Sequence, residues 1–388
     1  MAWSEGRLDP TAKTAGRQPN RSAVSADDPI FRAVPLMTLY GHTALRERLI
    51  DAVRRNALPA SLLLHGPRGV GKQQIGLWLA RALLCENRDS APCEKCKSCR
   101  MAAALQHPDL HWFFPRPRHK DSDPDPAEVR EDIADAIRER LENNGLYEPP
   151  GGDVALYLAT VRAIVQTTSL SPAMGKRKVF VIGDAERMVA QEGSDQAANA
   201  FLKLLEEPPA DTTLILTSSE AGALLPTIRS RTVAVRVPPV SDADVKAFLA
   251  DEAAKNRLDV PRDSTELVRL AGGAPGRLVA LEAWEAALNS ARRLLEAARS
   301  PDRGARMRAA LAQGASGARG KYAETLEALS VLLHERSSTA ARRGDDVGSF
   351  GAARAMEAVE ATKELADGNV NPQLLTASLL QQIAPFVQ

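Results

Sequence analysis

The sequence is poor in aromatic residues and carries almost no net charge. Aromatic residues make up 4% of its 388 residues, and its formal charge is +1. A basic surface of the kind that coats a nucleic-acid-binding protein is therefore absent, and any DNA affinity of the isolated chain is expected to be weak and sensitive to salt. Alanine and leucine are abundant instead, which indicates a largely helical chain.

Long apolar segments are also missing. No run approaches the roughly 18 residues that a membrane-spanning helix needs, and residues 1–35 contain no apolar signal core. We therefore expect a disordered leader over residues 1–35, a cytoplasmic location and no membrane partner. A chain of this length exceeds one compact core, so several domains are expected.

Cysteine is scarce and confined to one place, at Cys85, Cys93, Cys96 and Cys99. Clustering of this kind in a cytoplasmic chain favours a metal site over disulfides. Paired C-x-x-C turns bring thiolates within reach of tetrahedral Zn²⁺, and four protein ligands make such a zinc structural. The alternatives are unpaired thiols and a finger that reads nucleic acid, although the long spacer and basic helix of such a finger are absent.

The segment "GPRGVGKQ" follows the apolar run "SLLLH" and precedes a helical pattern, which is the context of a P-loop. The glycines Gly66, Gly69 and Gly71 allow backbone N–H groups to converge on phosphate, and Lys72 neutralises its charge. A P-loop enzyme has Ser or Thr next, as a ligand of Mg²⁺, whereas this chain has Gln73. The loop is therefore expected to keep a phosphate-binding shape and to bind ATP only weakly.

Apolar runs alternate with helical segments up to about residue 240. Runs such as "VFVI" and "LILT" are typical of strands in a parallel sheet that is covered on both faces. The segment "PPVSD" (238–242) indicates a domain joint, and the rest of the chain has a helical pattern. The predicted fold class is therefore α/β followed by all-α. An acidic, proline-bounded insertion at 115–153 is expected to project from the core with one solvated helix.

Four features in combination resemble the clamp-loader branch of the AAA+ ATPases, and within it the delta-prime family of bacterial DNA polymerase III. They are "NAFLKLLEEPP" (199–209), "RSR" (229–231), the cysteine cluster behind the P-loop helix, and "NVNPQLLTASLLQQI" (369–383). The resemblance covers about residues 36–386 without the insertion. It implies the following domains: an AAA+ P-loop domain at 36–238 with a zinc module at 85–99, a small helical lid at 239–285, and a helical collar at 286–388.

The resemblance also bears on ATP hydrolysis. Asp184, at the end of the strand "VFVI", matches the aspartate that holds the metal in active members, but the glutamate that polarises water is replaced by Ala185. Glu186 is one residue too late, and a shift of one residue at a strand end is expected to point its side chain elsewhere. Together with Gln73, two positions of the metal-and-water machinery are missing. We therefore expect no efficient intrinsic ATPase.

Arg231 and Arg277 are candidates for contact with nucleotide phosphate. The resemblance implies that Arg231 is a trans-acting arginine finger that reaches the ATP of a neighbouring subunit, although the family's usual cysteine after it is Thr232 here. The alternative is that Arg229 and Arg231 are ordinary surface arginines. Arg277 lies one position from the family's phosphate-sensing arginine, so that role is not carried over, and the alternative is a charge on a helix surface.

The function that the resemblance implies is assembly. The chain would be a delta-prime subunit in a hetero-pentameric ring with gamma/tau and delta subunits, and the ring would load the sliding clamp onto primed DNA. Lacking its own ATPase, it would still belong to a DNA polymerase holoenzyme, which is a nucleotidyltransferase. The alternative is an active ATPase of the gamma/tau type. A small-molecule P-loop kinase fits poorly, because it leaves the cysteine cluster and the helical tail unexplained.

Overall fold

A computed structural model describes residues 38–119, 121, 124–146, 154–188, 195–258, 264–314, 319–366 and 370–387. The leader expected at residues 1–35 lies outside these described residues. Among the helices that are described, none is both long and apolar enough to cross a bilayer.

Five parallel strands form one sheet in the order β2-β5-β6-β1-β7. A second, antiparallel pair joins β3 to β4. The strands are β1 (Ser61–His65), β2 (Leu110–Phe113), β3 (Arg116–Pro117), β4 (Val154–Ala155), β5 (Lys178–Ile182), β6 (Thr212–Ser218) and β7 (Val233–Arg236). The three central strands are almost entirely buried, as their unbroken apolar sequences predict. The outermost strand β7 is largely exposed.

Helices flank the sheet, and they are the regular elements described after β7. They are α1 (Thr43–Arg54), α2 (Lys72–Leu84), α3 (Lys97–Ala103), α4 (Pro126–Glu142), α5 (Leu158–Thr168), α6 (Asp195–Glu206), α7 (Pro226–Arg229), α8 (Asp242–Ala250), α9 (Glu252–Leu258), α10 (Ser264–Ala271), α11 (Leu281–Arg299), α12 (Arg303–Leu311), α13 (Arg319–Arg342), α14 (Asp346–Ala366) and α15 (Pro372–Ile383). The predicted order, α/β followed by all-α, is confirmed.

Two apolar cores lie within the described residues. The first surrounds the parallel sheet, and the second joins the helices from α8 onward. Helix α11 continues across residue 285, where the sequence suggested a boundary between lid and collar. Trp284 of this helix and Leu329 of α13 belong to the same core. The segments expected to form lid and collar therefore share one helix and one apolar interior.

The insertion predicted at 115–153 does not project from the core in its described part. Helix α4 buries Val129, Ile133 and Ala136 in the core of the sheet domain and packs against α5. Its Arg140 is also buried and lies over the aromatic ring of Trp112. The prediction of a projecting, solvated helix is therefore wrong, because its acidic composition hides an apolar stripe with helical spacing.

Candidate functional site

The carboxyl ends of parallel strands meet at one edge of the sheet, where ligands usually bind. In this chain β1 leads into the P-loop, β5 ends just before Asp184, and β6 ends just before Ser219. Helix α2 begins at Lys72. The structure thus brings the predicted P-loop residues and the predicted acid together, as the sequence indicated. Ser219 is an addition that the sequence did not single out.

Lys72 is buried and its ammonium group is already occupied. Its Nζ donates to the carbonyls of Gly66 and Pro67 and to the hydroxyl of Ser219, each at 2.9 Å. A lysine ammonium group has three N–H donors, so these three bonds use all of them. Burial lowers the pKa of Lys72, while the charges of Asp184 and Glu186 oppose that shift. A phosphate would have to displace internal partners to reach this lysine.

The P-loop backbone is covered by the segment that precedes α11. The N–H of Gly276 donates to the carbonyl of Gly69 at 2.9 Å. Gly69 has a φ of +83°, and a Cβ there would lie 2.9 Å from the backbone nitrogen of Arg277. His42 holds the next carbonyl of the loop, with its Nε2 2.8 Å from the oxygen of Val70. The loop is therefore held by a residue that precedes it in the chain, His42, and by one that follows it, Gly276.

Gln73 and Asp184 are joined directly. The Nε2 of Gln73 donates to Oδ2 of Asp184 at 3.1 Å, and its Oε1 accepts from the indole N–H of Trp112 at 3.0 Å. The backbone N–H of Asp184 donates to Thr217 at 3.1 Å. The carboxylate of Asp184, which the sequence predicted to hold a metal, therefore accepts a hydrogen bond from the side-chain amide of Gln73.

Glu186 does not point away from the site, so that expectation is wrong. Asp184 has a left-handed backbone (φ 47°), and a short 3₁₀ helix over Ala185–Met188 follows it. This turn brings Oε1 of Glu186 to 3.0 Å from the backbone nitrogen of Ser219, whose N–H donates to it. The hydroxyl of the same serine accepts a hydrogen bond from Lys72. Burial, and then the charge of Asp184, raise the pKa of Glu186 to about 7. Its Oε2 is buried, so the carboxylate is not open to water.

Arg277 is neither a charge on a helix surface nor directed into the P-loop. Its guanidinium is buried, lies 4.6 Å above the ring of Trp284, and pairs with Glu327 of α13 at 2.9 Å. Lys363 of α14 donates to the second oxygen of Glu327 at 2.8 Å. The charges of Lys363 and Arg277 hold the pKa of Glu327 below its usual value despite burial. One carboxylate thus ties three segments of the second core together.

This network gives a stability prediction. The Glu327→Gln variant should lose about 3 kcal/mol of unfolding free energy, because it removes the counter-charge of the buried Arg277 and leaves Lys363 with Glu360 alone. Glu357→Gln is the matched control, since Glu357 is exposed and pairs with Arg354 on the surface of α14. Its loss should stay below about 1 kcal/mol. Chemical denaturation of both variants measures this, and equal losses would contradict a special role for Glu327.

Arg231 lies at the surface between α7 and β7. Its Nη2 donates to Oε1 of Glu206 at 2.5 Å, and its Nη1 to the carbonyl of Thr227 at 3.0 Å. Its side chain is 33% exposed. Glu206 ends α6 and is part of the "LLEEPP" motif, so the two motifs "LLEEPP" and "SR" meet in this ion pair. No sequence pattern predicts this contact, which joins positions 25 residues apart.

The four cysteines come together behind α2. Their sulfur atoms all lie within 4.8 Å of one another, and Cys85 Sγ is 4.0 Å from Cys96 Sγ. Zinc–sulfur bonds of about 2.3 Å place the sulfurs of a tetrahedral site about 3.8 Å apart, so the group fits a metal ion. The backbone N–H groups of Cys96 and Cys99 point at the sulfurs of Cys93 and Cys96. Backbone N–H groups, first that of Lys95 and then that of Cys96, lower the pKa of Cys93 to about 6.

These features define a P-loop protein with a four-cysteine group and a helical C-terminal region. The chain belongs to the DNA polymerase III delta subunit family, whose sequence model matches residues 41–241.

Named relatives point in the same direction. The chain is 34% identical over 215 residues to "DNA polymerase III subunit delta'" of Pseudomonas aeruginosa, covering 55% of this chain and 52% of the relative. It is 26% identical over 204 residues to the protein of the same name from Bacillus subtilis, covering 53% and 50%. The chain thus spans about half the length of these relatives.

Solved structures give only distant resemblances in shape. A DNA polymerase III gamma subunit-related protein of Thermotoga maritima overlaps 88% of this chain and 99% of its own, with 17% identity and a TM-score of 0.37. The RuvB Holliday junction branch migration motor of the same organism overlaps 67% of each chain, with 15% identity and a TM-score of 0.35.

Proposed function

We propose that this chain is the delta-prime subunit of the DNA polymerase III clamp loader and acts in the cytoplasm. It assembles with gamma/tau and delta subunits in a hetero-pentameric ring, and the ring places the sliding clamp on primed DNA. The family match over residues 41–241, together with relatives named delta-prime, supports this role. It has no ATPase activity of its own and acts as part of a DNA polymerase holoenzyme.

In this proposal the chain does not hydrolyse ATP itself. Nucleotide would lie against Gly66, Gly69, Gly71 and the start of α2, and binding would be weak because Lys72 is engaged internally. The two groups that an ATPase needs beyond the loop are absent. Gln73 stands in the hydroxyl position, and Ala185 is a buried methyl where an acid would be required.

Arg231 is the residue by which this chain contributes to ATP hydrolysis in the ring. It acts as an arginine finger on the ATP of an adjacent gamma/tau subunit and stabilises the charge that develops on the transferred phosphoryl group. Its position at the surface and its partial exposure leave it accessible to a neighbour. The contact with Glu206 keeps the guanidinium beside the end of α6 until the neighbour is in place.

The four thiolates hold a structural Zn²⁺ in this proposal. Cys85, Cys93, Cys96 and Cys99 would fill all four positions of a tetrahedral ion, which leaves no position for a substrate. The ion would fasten the loop between α2 and α3 to the core of the sheet domain, where Cys85 and Cys99 are buried.

The second candidate is an active ATPase of the gamma/tau type. A gamma/tau subunit of Mycoplasma genitalium is 23% identical to this chain over 252 residues, which cover 64% of this chain and 34% of that protein. Turnover of ATP by the purified chain, lost in the Lys72→Ala variant, would favour this candidate. The proposed function predicts no turnover that depends on Lys72.

Reconstitution tests the clamp-loader role. We expect this chain to co-purify in a stable complex with gamma/tau and delta subunits, and loading of the clamp onto primed DNA to require it. Loading is measured by retention of labelled clamp on a circular primed template. A complex that loads the clamp equally well without this chain would contradict the proposal.

A further inference from the structure

The carboxamide of Gln73 is fitted to its surroundings at both ends. Its oxygen accepts from the indole N–H of Trp112, and its nitrogen donates to the carboxylate of Asp184. An indole can only donate and an ionised carboxylate can only accept, so the two partners together determine the orientation of the amide. Both hydrogen bonds have ordinary lengths, 3.0 and 3.1 Å.

Gly183 provides the space in which the carboxamide lies. A Cβ placed at Gly183 would be 2.5 Å from Oε1 of Gln73 and 2.6 Å from its Cδ, so any other residue would collide with the amide. Trp112 reaches the amide from β2, and Asp184 follows β5, the strand paired with β2. Residues from three elements, α2, β2 and the end of β5, therefore form one matched set around Gln73.

We propose that the Gln73 carboxamide takes the place of the divalent cation in this P-loop, so that Mg²⁺ does not strengthen the binding of nucleotide to this chain. Mg²⁺ requires oxygen ligands in near-octahedral geometry and gives up its waters reluctantly. Here an N–H donor is directed at the carboxylate of Asp184, where a cation would need a lone pair. The residues present therefore do not fit the metal, although the glycines and Lys72 keep the form of a phosphate loop.

The consequence is a change in what the site can bind. ADP or ATP without a metal meets only the loop amides and Lys72, whose three donors are already used within the chain. A magnesium nucleotide must in addition break the bond between Gln73 and Asp184. The inference rests on the proposed function, because it explains in atomic terms why this chain is not an ATPase.

Calorimetric titration of ADP into the purified full chain tests the inference, once with Mg²⁺ and once with EDTA. For the wild type we expect affinities that agree within about threefold, or no binding in either buffer. Gln73→Ser removes the amide and provides a hydroxyl, so ADP should bind at least tenfold more tightly with Mg²⁺ than with EDTA. Gln74→Ser, the same substitution at the adjacent glutamine of α2, is the matched control and should behave as the wild type.

A second substitution checks that the gain comes from the freed carboxylate. Adding Asp184→Asn to Gln73→Ser should abolish the dependence on Mg²⁺. The proposal is overturned if Gln73→Ser folds, as judged by its circular dichroism and melting curve, and gains no dependence on Mg²⁺. The proposal is also overturned if the wild-type protein binds ADP tenfold more tightly with Mg²⁺ than with EDTA. This wild-type measurement tests the proposal even if the Gln73→Ser variant does not fold. Either failure leaves the clamp-loader role intact, since that role is tested by clamp loading in the complex.

Discussion

Replacing Arg231 with alanine should slow hydrolysis of the neighbouring subunit's ATP by about 10³-fold or more in the assembled complex. Arginine fingers supplied in trans contribute about 10³–10⁵ to the rate of phosphoryl transfer, because they neutralise charge that builds up in the transition state. The substitution should leave this chain folded, since Arg231 is partly exposed and its partners Glu206, Thr227 and Ser230 all lie at the surface. Single-turnover hydrolysis of radiolabelled ATP in the complex with primed DNA and clamp is the appropriate measurement.

Arg229→Ala is the matched control for this experiment. Arg229 ends α7, is exposed, and lies two residues from Arg231 in the same "RSR" segment. Its replacement should change hydrolysis by less than about threefold. If both variants hydrolyse ATP at the wild-type rate, Arg231 is a surface arginine. If both lose activity equally, the segment acts through its total charge and not through one finger.

Removing the metal should have the second large effect. Cys96→Ser deletes one of the four sulfur ligands of the proposed zinc site, and the variant should purify without stoichiometric zinc. Structural zinc sites contribute on the order of 10 kcal/mol to the folding of small domains. The variant should lose only a part of that stability, because the sheet domain also supports the cysteine module. A loss of several kcal/mol corresponds to a fall in Tm of roughly 10 °C for a chain of this size. Elemental analysis and thermal unfolding measure the two effects.

Glu94→Gln provides the control within the same module. Glu94 lies next to Cys93, but its side chain pairs with Arg81 and is 68% exposed. The variant should keep one zinc per chain and melt within about 2 °C of the wild type. Wild-type protein that contains no stoichiometric metal after purification from zinc-supplemented cells would contradict the zinc proposal.

The parts of the fold that the sequence predicted are those with a local pattern. Strands β1, β5 and β6 are unbroken apolar runs, and their burial in a parallel sheet follows from that pattern alone. The P-loop and the four cysteines were recognisable because their chemistry depends on short spacings. Each of these features is contained in a few consecutive residues, so no knowledge of the chain path was needed.

What could not be predicted depends on contacts between distant positions. The partner of Arg277 is Glu327, fifty residues later, and Gln73 of helix α2 bonds to Trp112 of strand β2. The direction of Glu186 was missed for a different reason. A left-handed residue at Asp184 and a 3₁₀ turn change the phase after the strand, and an alternation rule for extended chains does not apply there.

The ion pair between Arg231 and Glu206 has an entropic consequence for the proposed ring. A free arginine side chain loses about 0.5–1.5 kcal/mol of rotational freedom when it is fixed against a ligand. With its guanidinium already ordered at the end of α6, Arg231 meets the neighbour's phosphate with much of this loss incurred beforehand. In the proposed ring, Glu206 would therefore lower the entropic cost of fixing Arg231 against the neighbour's phosphate.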